Sequence, residues 1–403
     1  MNHVRDPHPK SGVEPEGNVI PMAAYRLSKG GAPTCLGDSD FRRAYQDAGA
    51  EIGRINILVL GKTGVGKSTL VNAIFGCPVA ETGLGRPVTQ GSKMHVHADG
   101  HLGLIDTQGL ELGRDSAELI NELTTFIAQQ RQNPMSEQLH LAWVCVDGQN
   151  TRFEAAEEEI VRELVRLGIP VILVMTQVPL VSGEVHRRSK ELMEAIHACS
   201  MPIVDASAIP TSALGDSDFK YGPHGLTELV NRSVRVAPVG VRTALVAAQK
   251  IDMESKRAEV SAIVALATAV AAAAGLSPVP GSDAPVLVAV QLAMMMKIAH
   301  VFGISISTAT KAALLATSAT TVAGRSLVGG LLKLVPGVNL FAMIASGITA
   351  GSLTTALGWS WNRVVQAIAN GDLDPMSIES EPFLTEVFRA AGNGGRWTST
   401  FGT

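Results

Sequence analysis

Gly61-Lys62-Thr63-Gly64-Val65-Gly66-Lys67-Ser68, followed by Thr69, has the spacing glycine, four residues, Gly-Lys-Ser, and its reading decides the fold. An apolar, β-branched run from Ile55 to Leu60 leads in, and a helical pattern from Thr69 to Phe75 leads out. Glycines let successive backbone N–H groups turn around phosphate oxygens, and the start of the following helix adds partial positive charge. Lys67 is then the side chain that reaches the terminal phosphates, and Ser68 offers a hydroxyl to Mg²⁺. Strand, loop and helix in this order predict a nucleoside-triphosphate site on an α/β scaffold.

Outward from the loop, strand-like and helical patterns alternate from Ile55 to about Arg235. Short apolar runs at Ile55 to Leu60, His101 to Ile105, Leu139 to Val146 and Val171 to Met175 read as strands buried on both faces. Between them lie amphipathic helices around Leu119 to Ile127 and Ile160 to Val165, the latter with Glu157, Glu158 and Glu159 early, Arg162 and Arg166 late and Gly168 past its end. The domain is therefore expected to be a doubly wound α/β nucleotide-binding fold spanning 37–238, with a short helix over Asp38 to Ile52 on its edge. Lys93 to His97 reads as an extra strand, and exposure of His95 and His97 is a better account of them than a metal site, since no cysteine or carboxylate completes a ligand set. Residues 1–36 and 392–403 are rich in proline, glycine and polar residues without periodicity and read as a disordered leader and tail. Residues 239–391 read as an all-α hydrophobic domain ending in a helix near 381–391. There is no internal repeat of fixed period.

Asp106-Thr107-Gln108-Gly109 follows the strand ending at Ile105 and has the Asp-x-x-Gly form, in which the carboxylate holds Mg²⁺ through water and the glycine amide senses the γ-phosphate. Between the two motifs, Gly83 to Gln90 carries one well-placed threonine, Thr89, the candidate switch residue that ligates Mg²⁺ when the γ-phosphate is present. Ile57 to Gly76, Arg86-Pro87-Val88-Thr89 and Asp106-Thr107-x-Gly109 together resemble the Era-like and septin-like, translation-factor-class P-loop GTPases over about 55–235. The resemblance implies GTP and GDP as ligands, Mg²⁺ as the metal held by Ser68, Thr89 and Asp106, and hydrolysis of GTP. It also puts Thr176-Gln177 in the base-specifying loop and Ser212-Ala213 in the loop that backs the base, with Ser207-Ala208 as a rival for that place.

Two departures from the pattern stand out. The base-specifying motif reads Thr176-Gln177-Val178-Pro179, without the lysine and carboxylate that usually define guanine preference. Leu110 follows Gly109 where a water-orienting glutamine often stands, leaving Gln108 as the catalytic candidate beside Lys67 and Thr89. In the resembling family, potassium users carry asparagine where this loop has Gly64, so potassium activation is not expected. Slow intrinsic turnover makes acceleration by a homodimer through the nucleotide domain, or by a partner, the natural remedy.

From Val241 onward, Arg242 to Asp252, Pro280 to Met296 and Leu334 to Gly337 resemble the hydrophobic helical domain of YcjF-type bacterial proteins over roughly 240–365. Leu334 to Trp361 contains no charged residue and ends in Trp359 and Trp361 before Arg363, as a span with an interfacial belt would. Gly347 and Gly351 would give a close helix–helix face. Against insertion, Asp283, Lys297, His300, Lys311, Arg325 and Lys333 recur at short intervals, and Met294 to Met296 reads as core filler. A packed bundle and an inner-membrane contact both remain open.

Composition sets outer bounds. The 403 residues suffice for two domains, and a net charge of −4 gives no basic field for nucleic acid. Four scattered cysteines without a Cys-x-x-Cys pair suit a reducing cytosol, and the first residues form no apolar signal core. The expectation is a cytoplasmic nucleotide-dependent switch coupled to an inner-membrane or oligomerising helical domain. A non-catalytic nucleotide-dependent scaffold and a ribosome- or RNA-associated GTPase are the alternatives.

Overall fold

The computed structural model describes residues 38–76, 86–87, 93–97, 99–106, 116–150, 152–218, 220–274, 284–305, 307 and 350–372. The leader 1–36, the tail 392–403, the helix expected over 381–391 and residues 334–349 of the charge-free run lie outside them.

A seven-stranded sheet has the order β2-β3-β4-β1-β5-β6-β9. Its strands are β1 (Ile55–Leu60), β2 (Arg86–Pro87), β3 (Lys93–Val96), β4 (Leu102–Asp106), β5 (Leu141–Asp147), β6 (Val171–Thr176) and β9 (Ile209–Pro210). β4, β1, β5, β6 and β9 run parallel, while β2 and β3 form an antiparallel flap on β4. A separate small hairpin pairs β7 (Leu180–Val181) with β8 (Glu184–Val185). The parallel strands read as unbroken apolar runs because helices cover both faces, so alternate side chains of each strand enter different cores. Leu58 and Leu60 of β1 pack with α3 (Ser116–Gln130), α4 (Ala155–Arg166) and α5 (Arg187–Ala198). Ile57 and Val59 pack instead with α2 (Lys67–Phe75), α6 (Leu226–Val236) and α7 (Val239–Ala248). Helix α4 starts on a capping box in which Glu154 and Glu157 satisfy each other's backbone N–H groups.

A third core belongs to the helical bundle of α8 (Met253–Ala274), α9 (Ala284–Val301) and α10 (Ala350–Ala369). From Ala289 to Val301 every residue of the central helix α9 except Lys297 is buried, which explains why its sequence shows no polar face. Met294, Met295 and Met296 fill that core as expected. Helices α8 and α10 approach closely: a Cβ on Gly351 would lie 3.2 Å from Ala272 Cβ.

Several expectations change. Helix α1 (Asp38–Ile52) gives Phe41, Ala44 and Ala48 to the bundle core rather than resting on the edge of the sheet domain. Helix α7, placed in the helical domain by sequence, contributes Val241, Ala244, Leu245 and Ala248 to the sheet core. Trp361 is buried and its indole donates to Met295 O at 2.8 Å, so it anchors the bundle and is no interfacial residue. Trp359 stays exposed. His95 and His97 are half-buried, not exposed, and His97 pairs with Asp99 at 3.1 Å. No metal-binding cluster of histidine, cysteine or carboxylate occurs among the described residues.

Candidate nucleotide site

The loop from Gly61 to Ser68 lies where β1 ends and α2 begins, between the carboxyl ends of β4 and β5. Its backbone needs glycine at two decisive places. A Cβ on Gly61 would come within 2.5 Å of Cys145 O, and Gly66 caps α2 with φ 93, in the left-handed region. No side chain caps α2, so its first-turn N–H groups are left for an anion. Lys67 folds back into the loop and donates to Gly61 O at 2.7 Å and Lys62 O at 2.9 Å. Two neutral carbonyls hold an ammonium less strongly than a phosphate would, so the lysine is poised to exchange partners.

Residues from β6 brace the loop from the side. Thr176, buried at the end of β6, donates its hydroxyl to Val65 O at 2.5 Å and shares it with Val146 O at 3.1 Å. Gln177, with φ 54, donates from Nε2 to Gly64 O at 3.1 Å, and Gln149 donates to Gln177 O at 3.3 Å. The loop that departs in sequence from the base-specifying pattern therefore clamps the phosphate loop. Sequence reasoning missed this bracing, since a threonine hydroxyl carries no motif. It also missed the ion pair of Lys62 with Glu154 and, at 3.9 Å, with Glu157, which ties the loop to the start of α4. Burial raises the Glu157 carboxyl, while the Glu154 N–H and Lys62 pull it back.

Ser212-Ala213 follows β9 at the same sheet edge as Gln177: Thr211 N–H donates to Met175 O at 2.7 Å and Val178 N–H to Thr211 O at 3.0 Å. Ser212 accepts from Gly215 N–H at 3.2 Å, and the next side chain, Leu214, is 77% exposed. Ser207-Ala208 precedes β9, with Ser207 O accepting from Arg232 at 2.8 Å, so it stands away from the loop. Asp106 ends β4 opposite Val59 of β1, two residues before Gly61, which brings its backbone to the mouth of the loop. Thr89, Gln108 and Gly109 lie outside the described residues. Ser68 carries a hydroxyl oxygen of the kind Mg²⁺ requires. Cys145, below the loop, has its thiol pushed up to about 12 by burial and is inert.

A glycine loop between a central parallel strand and an uncapped helix, with a lysine held inside it, defines a P-loop nucleotide-binding domain. Residues 56–177 match the family described as 50S ribosome-binding GTPase, and residues 242–390 match a domain of unknown function, DUF697. The chain thus joins a P-loop domain that matches the first family, with Era GTPases among its relatives, to a region that matches the second. It is 26% identical over 172 residues to GTPase Era of Halothermothrix orenii, covering 42% of this chain and 56% of that protein. It is 29% identical over 159 residues to GTPase Era of Vibrio vulnificus strain YJ016, covering 39% and 46%. The match spans about half the length of these curated relatives. Among solved structures, a probable GTP-binding protein engB is 22% identical with a TM-score of 0.32, covering 45% of this chain and 97% of that one.

Proposed function

We propose that this protein binds and slowly hydrolyses GTP with Mg²⁺ and acts as a switch whose nucleotide state repositions the helical bundle at a membrane surface. The carrying observation for the nucleotide is the braced loop, in which Lys67 is held inside an uncapped helix start. In this reading the loop amides and Lys67 bind the phosphates, Ser68, Thr89 and Asp106 hold Mg²⁺, and Gln108 orients water. Gly109 senses the γ-phosphate, while Thr176, Gln177, Ser212 and Ala213 border the base. Bound Mg²⁺ would neutralise charge on the phosphates.

The membrane part rests on α8. It is 22 residues long, its apolar window has a mean hydropathy of 1.5, and only 22% of that window is buried against the rest of the protein. Its outward face carries Ser261, Ala262, Ala265, Leu266, Ala269 and Ala273. The test is nucleotide titration and phosphate release with purified protein, with and without anionic liposomes. Micromolar binding that disappears in Lys67→Ala, and turnover or sedimentation that responds to liposomes, is the expected result. Failure of wild type to bind GTP or GDP would end the reading.

A further inference from the structure

Two elements whose near ends reach the phosphate site lead from their far ends to one place in the bundle, the last turn of α9 and the residues just after it. The first route is α2. It starts at the loop with Lys67 and ends on Gly76, whose N–H returns to Asn72 O at 2.8 Å. In its last turn, Ile74 O accepts the backbone N–H of Lys250 at 2.9 Å. The Lys250 stem lies over Gly76 so closely that a Cβ there would meet Lys250 Cδ at 2.6 Å.

Lys250 belongs to the joint between α7 and α8, and that joint is stiff. The buried Gln249 side chain accepts from Ile251 N–H at 2.8 Å and Asp252 N–H at 2.7 Å and donates to Asp252 O at 2.8 Å. Asp252 in turn caps α8 by accepting from Glu254 and Ser255 N–H at 3.0 and 3.1 Å. A displacement at Lys250 is therefore handed to α8 rather than absorbed in a loose turn. One turn along, Lys256 is 4% exposed. Its ammonium donates to Ala247 O near the end of α7, at 3.0 Å, and to Val301 O at the end of α9, and it stands 5.6 Å from the centre of the Phe302 ring. Helix carboxyl ends attract a cation, so one buried charge fastens a helix of the sheet domain to the bundle's central helix. Burial lowers this lysine to about 8.

The second route is β4. Its near end is Asp106, and just before its far end His101 meets His300 of α9 at 2.8 Å. His300 also contacts Tyr45 O at 2.9 Å and stacks on the Tyr45 ring at 3.8 Å, while Tyr45 donates its hydroxyl to Ile304 O at 2.8 Å. Both routes are made of directional polar bonds, buried at Gln249, Lys256, His101 and His300, which change by exchange of partners rather than by gradual slip.

We infer that the last turn of α9, gripped by Lys256 and by the His101–His300 contact, is the receiver through which the phosphate state of the nucleotide is relayed to the helical bundle. This rests on the nucleotide reading above. By linkage, a contact that responds to the nucleotide must feed back on nucleotide affinity. The experiment measures dissociation constants of GDP and of a non-hydrolysable GTP analogue, with Mg²⁺, for the full-length chain and for Lys256→Met. The ratio of the two constants should move by about fivefold or more in the variant, since coupling of this kind spans roughly 5- to 150-fold. A purely structural lysine would lower thermal stability and leave the ratio alone; a folded Lys256→Met protein with an unchanged ratio overturns the inference. Hydrogen exchange of residues 284–305 in the wild-type chain gives a readout independent of any variant: exchange that differs between the two nucleotides supports the relay, and identical exchange overturns it. Absence of nucleotide binding by wild type would instead refute the proposed function.

Discussion

Thr176→Val tests whether the loop after β6 serves the phosphate site by bracing it. Valine nearly matches threonine in volume, so the cavity term is small, and the loss is the hydroxyl that reaches Val65 O at 2.5 Å and Val146 O at 3.1 Å. Because Thr176 is 3% exposed, water does not replace the donor freely, and a buried carbonyl left without one costs about 1–3 kcal/mol. The added methyl regains part of this through apolar burial, about 0.8 kcal/mol, so a net loss of about 0.2–2.2 kcal/mol is expected. At about 2–4 °C per kcal/mol for a domain of this size, the melting temperature should fall by up to about 9 °C. A loop no longer held at Val65 must be ordered by the ligand, and a penalty of about 1 kcal/mol there weakens GDP binding roughly fivefold. Calorimetric titration with GDP and thermal unfolding measure both quantities. Thr176→Ser keeps the hydroxyl and should bind GDP as wild type does. If Thr176→Val binds GDP with unchanged affinity, or if serine and valine behave alike, bracing by the hydroxyl is the wrong account.

Burial holds His101 below its usual value and lowers His300 to about 4, so below pH 6.5 the unfolded chain binds more protons than the folded one. Stability from this pair is complete above about pH 6.5 and is lost as pH falls toward 4, at up to about 1.4 kcal/mol per unit for each proton; urea unfolding from pH 7 to pH 5 should show the slope, and His300→Gln should flatten it. Gly358→Ala should destabilise the bundle by about 1–3 kcal/mol, because a Cβ there would sit 2.7 Å from Val264 Cγ2 and 2.9 Å from Met294 Sδ; an unchanged melting temperature would mean that α8 and α10 are not packed this closely. Leu266→Glu, at a side chain 47% exposed, should leave stability within about 0.5 kcal/mol and abolish liposome sedimentation; retained sedimentation would place the lipid contact elsewhere.

The sheet domain was legible because its signals are local. Ile55 to Leu60, the glycine loop and Asp106 each declare strand, turn and phosphate chemistry within a few residues. The phosphate side of the site could be read for the same reason. What could not be read depends on long-range packing. Trp361 ends a charge-free run, which length and composition cannot separate from a span, and only its bond to Met295 O puts it inside a bundle. Thr176 and Gln177 looked like the loss of a motif, because the carbonyls they hold, Val65 O and Gly64 O, lie 111 and 113 residues earlier in the chain. Lys256 sits in an ordinary charged stretch, Glu254-Ser255-Lys256-Arg257, and nothing local marks it as the one that is buried.

Helix α1 precedes the whole sheet in the chain, yet Phe41, Ala44 and Ala48 complete a core whose other members come from residue 260 onward. During synthesis its apolar stripe must wait, uncovered, until more than half of the polypeptide has followed it. Contacts closed over such separations are slow to form and leave sticky surface exposed meanwhile. Cutting the chain at the sequence boundary after residue 238 would make that delay permanent, and would also strip Val241, Ala244, Leu245 and Ala248 from the sheet. A fragment meant to report on the nucleotide site alone should therefore begin no later than Ile52, which belongs to the sheet core, and run through Ala248, whereas the bundle cannot be excised as one continuous piece of chain.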